Sequence, residues 1–290
     1  MSIPSSELIL TPKGTIYHLD LHPEQLADTV ITVGDPGRVA AVSKYFDRIE
    51  HQAAHREFIT HTGFIGTKRI TVVSTGIGPD NIDIVLNELD ALANIDFSRR
   101  EIKPQKKSLN IIRLGTSGAL QADIPLDSFI ASSFAIGLDN LMHYYAYEPN
   151  PDESFILNEF VQHARLQHSP VAPYIAEGSI RLCAAFAGTM GSGITVTCPG
   201  FYGPQGRVLR APIAFPRLID ALGTFSSRGH RVSNFEMETS AIYGLGKLLG
   251  HQCLSVSTII ANRVTQRFSA DANAAIDRMI VLALEVITRS

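Results

Sequence analysis

One pattern recurs three times in the first half of the chain: a short run rich in β-branched residues, a glycine-containing turn, and then apolar residues at helical spacing. The runs and their turns are Thr29–Val33 before Gly34–Arg38, Ile70–Ser74 before Thr75–Gly78, and Asn110–Leu114 before Gly115–Gly118. Short apolar strands that alternate with helices are typical of a sheet buried on both faces. The sequence therefore predicts an α/β fold whose turns lie at strand ends, where such sheets bind ligands.

Other segments supply further elements. We expect helices at Val39–Phe46, Asp80–Asn94, Met237–Leu249 and Ala272–Ile287, and strands at Ile194–Thr197 and Leu254–Ile260. The stretch from 199 to 216 is rich in proline and glycine, and long irregular segments inside a domain are more often functional than idle. Because no linker or repeat divides the chain, we expect one domain over residues 1–290: a three-layer α/β/α arrangement with a central mixed, twisted sheet flanked by helices.

Charge and hydropathy exclude several classes of partner. The formal net charge is −3 over 290 residues, without the basic excess of nucleic-acid-binding or membrane-surface proteins. Apolar stretches such as Met279–Ile287 fall short of the roughly 20 residues that a membrane span needs. The polar N-terminus lacks a signal-peptide core, so we expect a cytoplasmic protein.

Two arginines occupy places that suit an anion. Gly34–Arg38 would present backbone N–H groups and a guanidinium at a helix start, a setting that suits phosphate, although a tight turn ending in a surface arginine explains the same residues. Arg113 lies within an apolar run that predicts a buried strand. Burying an unpaired charge costs several kcal/mol, so Arg113 needs a protein partner or an anionic ligand.

The stretch Asn234–Thr239 places two carboxylates at the entrance to an apolar helix. The helix dipole stabilises acidic residues at a helix start, and this alone can explain both carboxylates. A catalytic role for them remains open. His51 and His55 lie four residues apart but have no third ligand in register, and we expect no metal site. No nucleophile elbow or catalytic-cysteine signature is present either.

Five motifs, taken in order, resemble the nucleoside phosphorylase-I family over roughly residues 15 to 265. They are Gly34–Val39, His55–Phe58, Ser74–Gly78, Arg113–Ala119 and Asn234–Thr239. The stretch Phe201–Arg207 is similar to the signature of the members that cleave uridine. The resemblance implies phosphate-dependent cleavage of the N-glycosidic bond of a pyrimidine nucleoside, in nucleoside salvage. Phosphate would be a co-substrate, with no cofactor.

The resemblance also implies roles for individual residues. Phosphate would be bound by Gly34, Arg38, Arg113 and Thr116, with Arg56 from the neighbouring subunit; ribose by Thr116, Met237, Glu238 and the neighbour's His18; and uracil by Phe201, Gln205 and Arg207. Of these, Arg38, Arg113, Thr116, Glu238 and Arg207 would form the catalytic set. Such shared sites require a homodimer, which could assemble further into a hexamer. The partners would be small molecules, not nucleic acid or membrane.

Three alternatives stay open on the sequence. A purine nucleoside phosphorylase has the same fold, but purine-cleaving members carry an aspartate where this chain has Asn262. A nucleosidase would use water and would not need three arginines, and a non-catalytic nucleoside-binding protein would not need Glu238. Three segments depart from the family pattern: the basic segment Ser98–Ser108, Gly78–Asp80 in place of a glycine pair, and Gly203–Pro204. They bear on whether an interfacial potassium ion, the subunit packing and the base-pocket shape are kept.

Overall fold

A computed structural model describes residues 2–289, which form two compact units. The first comprises residues 2–112 and 249–252, and the second comprises residues 113–248 and 253–289. The expectation of a single domain over residues 1–290 stays a prediction. Among residues 2–289, no helix is both long enough and apolar enough to span a membrane.

The first unit contains a mixed sheet. Its elements are β1 (Thr29–Val33), α1 (Gly37–Ser43), β2 (Arg48–His55), β3 (Phe58–Ile65), β4 (Lys68–Ser74), α2 (Pro79–Asn94), β5 (Ile95–Asp96) and β6 (Glu101–Ile102). Strand β1 runs parallel to β4, while β3 is antiparallel to both β4 and β2. The basic segment 98–108 includes β6, which forms a small hairpin with β5.

Strands β1 and β4 end side by side in the first unit. All five residues of β1 are buried, as its uniform apolar and β-branched sequence predicts. Val33 is the register partner of Ser74, so the turns after the two strands start at the same edge of the sheet. Gly76 in the second turn has a φ of 70°, a backbone conformation that favours glycine. The predicted strand–turn–helix pattern is confirmed at both places.

The second unit is built around a ring of strands. Lying wholly or mostly in it are β7 (Asn110–Ala119), β8 (Phe129–Gly137), α3 (Pro151–His163), β9 (Tyr174–Glu177), α4 (Ile180–Phe186), β10 (Gly191–Thr197), α5 (Leu218–Thr224), β11 (Ser226–Ser227), β12 (His230–Glu236), α6 (Thr239–Leu249), β13 (Gln252–Asn262), β14 (Arg267–Phe268) and α7 (Ala272–Arg289). Neighbouring strands pair in the order β12, β10, β8, β13, β7, and β12 also pairs with β7, which closes the ring. Strand β10 runs parallel to β8 and β13 runs antiparallel to it, so the ring is a mixed sheet. The predicted α/β fold is confirmed.

The third predicted glycine turn is wrong. Gly115–Gly118 do not end a strand but continue β7 to Ala119. A Cβ on Gly115 would overlap the Arg113 guanidinium, and one on Gly118 would come within 2.9 Å of the Phe235 ring. These glycines therefore permit close side-chain approach, the other common reason for glycine in a strand.

Candidate active site

Two carboxylates surround the one arginine of strand β7. Arg113 is buried, and its Nη2 lies 2.5 Å from Oε2 of Glu238 and 3.2 Å from Oε2 of Glu236. Its Nη1 also lies 3.4 Å from the Ser257 hydroxyl. The sequence left a protein partner and an anionic ligand open for this charge, and the structure supplies two protein partners.

The fold fixes Glu236 from several directions at once. Glu236 is the last residue of β12, and its carboxylate accepts the backbone N–H of Glu238 at 2.9 Å and of Thr239 at 3.0 Å. It also accepts the Thr197 hydroxyl at 2.7 Å. The first turn of α6 is thus capped by the residue that ends the preceding strand, as orphan N–H groups at a helix start require. Glu236 belongs to the motif seen in the sequence, but no role in the site was predicted for it.

The ion pairs keep Arg113 charged in a dry environment. Burial lowers the pKa of Arg113, but Glu236 and Glu238 raise it more, so the net pKa lies above its usual value. A guanidinium has five N–H donors, so Arg113 can hold these carboxylates and retain a donor for a further anion. The arrangement places a cation and a carboxylate in direct contact at the end of β12.

A second cluster lies on the irregular segment after β10. The Arg207 guanidinium lies 3.8 Å from the centre of the Phe201 ring and donates to the Phe201 carbonyl at 2.7 Å. It also donates to Oε1 of Gln205 at 2.5 Å. Gln205 is buried, whereas Phe201 is half exposed. The structure therefore brings together the three residues that the sequence assigns to the base.

A second arginine belongs to this cluster, and no sequence motif predicted a role for it. Arg263 donates to the Gln205 carbonyl at 3.0 Å, and its guanidinium and that of Arg207 each lie 5.7 Å from the Phe235 ring centre. Burial lowers the pKa of Arg207, and the nearby charge of Arg263 lowers it further. The only sequence signal for Arg263 was its position directly after Asn262.

The buried Cys198 thiol is affected by charged groups of both clusters. Burial raises the pKa of Cys198, Glu236 raises it further, and Arg207 acts in the opposite direction. One thiol therefore lies within electrostatic range of a carboxylate of the first cluster and an arginine of the second. Thr116 on β7 and Met237 between the two glutamates are half-buried in the same unit.

Asn262 is engaged by the backbone around it. Its amide nitrogen donates to the carbonyls of Gln121 and Ile124 at 2.9 and 3.0 Å. Its amide oxygen accepts the N–H groups of Val264 and Thr265, both at 3.0 Å. An aspartate at this position would lose both donors, so the asparagine anchors the loop that begins with Arg263.

Four of the predicted site residues lie in the first unit. Gly34 follows β1 and half-buried Arg38 lies in α1, where the Asp35 carboxylate accepts the Gly37 N–H at 2.9 Å. One N–H that the sequence offered to an anion is therefore bound to Asp35.

The other two, His18 and Arg56, lie around Tyr17 in the first unit. The Arg56 guanidinium lies 6.0 Å from the Tyr17 ring centre, and the His18 ring lies edge-on to Tyr17 at 4.8 Å. His18 Nδ1 lies 2.7 Å from the Glu88 carboxylate. Arg56 is exposed and has a φ of 54° at the turn between β2 and β3. Across residues 2–289, no three His, Cys, Asp or Glu side chains converge as metal ligands would.

Comparison with known proteins gives consistent matches. Residues 28–288 match the family model described as the phosphorylase superfamily. A uridine phosphorylase of Thermococcus kodakarensis is 31% identical over 268 residues, or 91% of this chain and 83% of that protein. A DeoD-type purine nucleoside phosphorylase of Bacillus velezensis is 25% identical over 93% of this chain and 99% of its own. A Trypanosoma brucei nucleoside phosphorylase, whose crystal structure is described as showing uridine phosphorylase activity, has a TM-score of 0.89 and 32% identity over 98% of this chain and 100% of its own.

Proposed function

The chain belongs to the phosphorylase superfamily, and from that premise we propose that it cleaves uridine with inorganic phosphate to give uracil and ribose 1-phosphate. The similarity to the uridine phosphorylase of T. kodakarensis and to the T. brucei enzyme supports this choice of substrate. The reaction is a pentosyl transfer that recovers the base and the sugar of a nucleoside. Its place would be nucleoside salvage in the cytoplasm.

The cluster of Arg207 and Arg263 carries the proposal. Within residues 2–289, neither guanidinium forms an ion pair with a carboxylate, and both lie against the Phe235 ring. Cleavage of the glycosidic bond leaves negative charge on the departing uracil. Two fixed, uncompensated positive charges stabilise such an anion more than they stabilise neutral uridine, which is the condition for catalysis. Stacking against Phe201 and a hydrogen bond with Gln205 would hold the base plane.

The ion pair of Arg113 with Glu238 supports the placing of the other two reactants. Arg113, with Gly34, Arg38 and Thr116, is proposed to hold phosphate, and Glu238, with Met237, to hold the ribose hydroxyls. The contact of 2.5 Å between Arg113 and Glu238 would keep nucleophile and sugar adjacent. Positioning of this kind contributes up to about 7–11 kcal/mol in favourable cases.

Thr116 is proposed to contact both phosphate and ribose. We also propose that the active form is a homodimer in which Arg56 and His18 serve the site of the neighbouring subunit. The exposure of Arg56 leaves its guanidinium accessible for such a role.

Attack by phosphate needs no covalent enzyme intermediate, and the cysteines of this chain are unsuited to forming one. Burial raises the pKa of the Cys183 thiol to about 11 and that of the Cys253 thiol to about 12. Burial also raises the pKa of Cys198. Since the thiolate is the nucleophile, these protonated thiols are inert near neutral pH.

A nucleoside panel with and without phosphate tests the proposal. Uridine, 2′-deoxyuridine, thymidine, cytidine and inosine are each incubated with the enzyme, and free base is measured by chromatography. We expect release from uridine in phosphate and none without it. Faster release from inosine would favour purine cleavage, turnover without phosphate would favour a nucleosidase, and binding without turnover would favour a non-catalytic protein.

A further inference from the structure

A buried cluster of hydroxyl and carboxyl groups lies beside the first turn of α6, outside the residues assigned to substrate. The Tyr174 hydroxyl lies 2.9 Å from both carboxylate oxygens of Asp139 and 2.9 Å from the Ser240 hydroxyl. The Ser240 hydroxyl donates to Oδ2 of Asp139 at 3.2 Å. All three side chains are buried. The Tyr174 ring rests on Gly137, where a Cβ would overlap the ring.

This cluster is connected through the Thr197 hydroxyl to the carboxylate of Glu236. The Ser240 N–H donates to the Thr197 hydroxyl at 2.9 Å, and that hydroxyl donates to Oε1 of Glu236 at 2.7 Å. The other oxygen of Glu236 pairs with Arg113. A continuous chain of short polar contacts therefore runs from Asp139 to the arginine at the centre of the site.

Strand register places Tyr174 of this cluster in one row with Thr197 and Glu236. Tyr174 on β9 is the partner of Gly137 on β8, Gly137 is the partner of Thr197 on β10, and Thr197 is the partner of Glu236 on β12. Cross-strand partners face the same side of a sheet and interact through their side chains, so neighbours in such a row constrain one another. Glu236 lies at the end of this row.

The cluster is costly for the fold. Asp139 is 7% exposed and, within residues 2–289, has no arginine, lysine or histidine partner. Its charge is stabilised by hydroxyl groups and by backbone N–H groups, including that of Leu141 at 2.9 Å. Apolar side chains of similar size would fill the same volume without that cost. Buried polar networks whose members are all hydrogen-bonded fix one arrangement of the elements that they join.

We propose that Asp139 and Tyr174 are positioning residues for the cleavage of uridine. They hold Ser240, and through Thr197 the Glu236 carboxylate, so that the first turn of α6 presents Glu238 to the ribose hydroxyls. This inference rests on the proposed function, because it assigns the network's effect to the sugar. Neither residue touches substrate in this account.

Tyr174→Phe tests the proposal, with Tyr147→Phe as the matched control. The Tyr147 hydroxyl donates to the Ile175 carbonyl at 2.9 Å and to the buried carboxylate of Glu153 at 3.4 Å, but it lies outside the row that ends at Glu236. Both variants therefore remove one hydroxyl from a buried carboxylate. For each enzyme, kcat and KM are measured with uridine, with 2′-deoxyuridine and with varied phosphate, alongside the thermal midpoint.

We expect Tyr174→Phe to lower kcat/KM for uridine about tenfold to a hundredfold, as misplacement of a binding group does. The loss should be smaller for 2′-deoxyuridine, which lacks one hydroxyl for Glu238 to bind, and the KM for phosphate should stay near that of the wild type. Tyr147→Phe should leave kcat/KM near the wild-type value. If Tyr174→Phe does not fold, Ser240→Ala breaks the same link and should show the same preference between the two nucleosides.

Two results would overturn the proposal in different ways. Equal losses for both nucleosides, or equal effects of the two tyrosine variants, would show that the network only stabilises the fold. That outcome leaves uridine cleavage by the wild type intact. If the wild-type enzyme itself releases no uracil in phosphate, the proposed function fails, and the assignment of positioning residues fails with it.

Discussion

Replacing Arg113 by methionine should destabilise the protein more than replacing its partner Glu238 by glutamine. The methionine variant leaves the Glu236 and Glu238 carboxylates buried without the Arg113 cation. The glutamine variant removes the charge of Glu238 but keeps an amide oxygen that can accept from Arg113, and Arg113 keeps Glu236 at 3.2 Å. The two single variants therefore differ in what they leave unpaired.

The magnitudes follow from that difference. Removing one partner of a buried ion pair costs about 3–5 kcal/mol of unfolding free energy, so we expect this for Arg113→Met. A hydrogen bond to a charged group contributes about 1.5–3 kcal/mol, and Glu238→Gln should cost no more than this because the amide oxygen still accepts from Arg113. The double variant leaves Glu236 with its backbone donors and the Thr197 hydroxyl. Its cost should be below the sum of the single costs by about 1–3 kcal/mol, since groups in contact are not additive.

Urea unfolding followed by far-UV circular dichroism measures these costs, because the chain has no tryptophan to report by fluorescence. Protein concentration is held constant, and the denaturant slopes must match for the free energies to be compared. Arg231→Met is the control, since it removes an exposed pair with Asp123 and should cost no more than about 1 kcal/mol. The reasoning would be refuted if Arg113→Met cost no more than Arg231→Met or no more than Glu238→Gln.

Arg207→Ala should lower kcat/KM for uridine about 10²-fold or more, because it removes a donor to a developing anion, while phosphate binding changes little. Arg228→Ala, at an exposed arginine paired with an aspartate, is the control, and wild-type turnover by Arg207→Ala would exclude its role at the base. Arg38→Ala and Arg56→Ala should each be nearly inactive, yet co-expression should restore about a quarter of wild-type sites, because about half of random dimers are mixed and each carries one intact site. No recovery in verified mixed dimers would show that Arg56 does not act across the interface. Burial raises the pKa of Asp139, so the stability that this carboxyl contributes is present below its unfolded pKa of about 3.9 and is lost as pH rises through the folded value. The unfolding free energy of Asp139→Asn relative to that of the wild type should therefore rise as pH is raised above about 4 in urea titrations, and a difference that does not change with pH would contradict the pKa shift.

The sequence pattern predicted those helices and strands that depend on neighbouring residues alone. Strand β1 has the expected bounds, and α2 at Pro79–Asn94 differs from the expected helix by one residue, since apolar spacing and proline at a helix start suffice there. Gly115 and Gly118 misled because glycine marks both turns and close contacts. The Phe235 ring that needs Gly118 is distant in sequence.

The same distinction applies to the site. The sequence required a partner for Arg113, because a buried charge cannot stay unpaired, but it could not say that Glu236 and Glu238 would be that partner. Those contacts depend on the pairing of β7 with β12, which joins segments more than a hundred residues apart. The link of Asp139 to Glu236 depends on a row of four strands and has no local signature.

Identification of the sugar product from uridine tests the central claim most directly. Uridine is incubated with the wild-type enzyme and inorganic phosphate, and phosphorus NMR follows the sugar product as uracil is released. We predict that one ribose 1-phosphate forms for each uracil and that both stop when phosphate is withdrawn. Formation of free ribose, or uracil release at the same rate without phosphate, would contradict phosphorolysis.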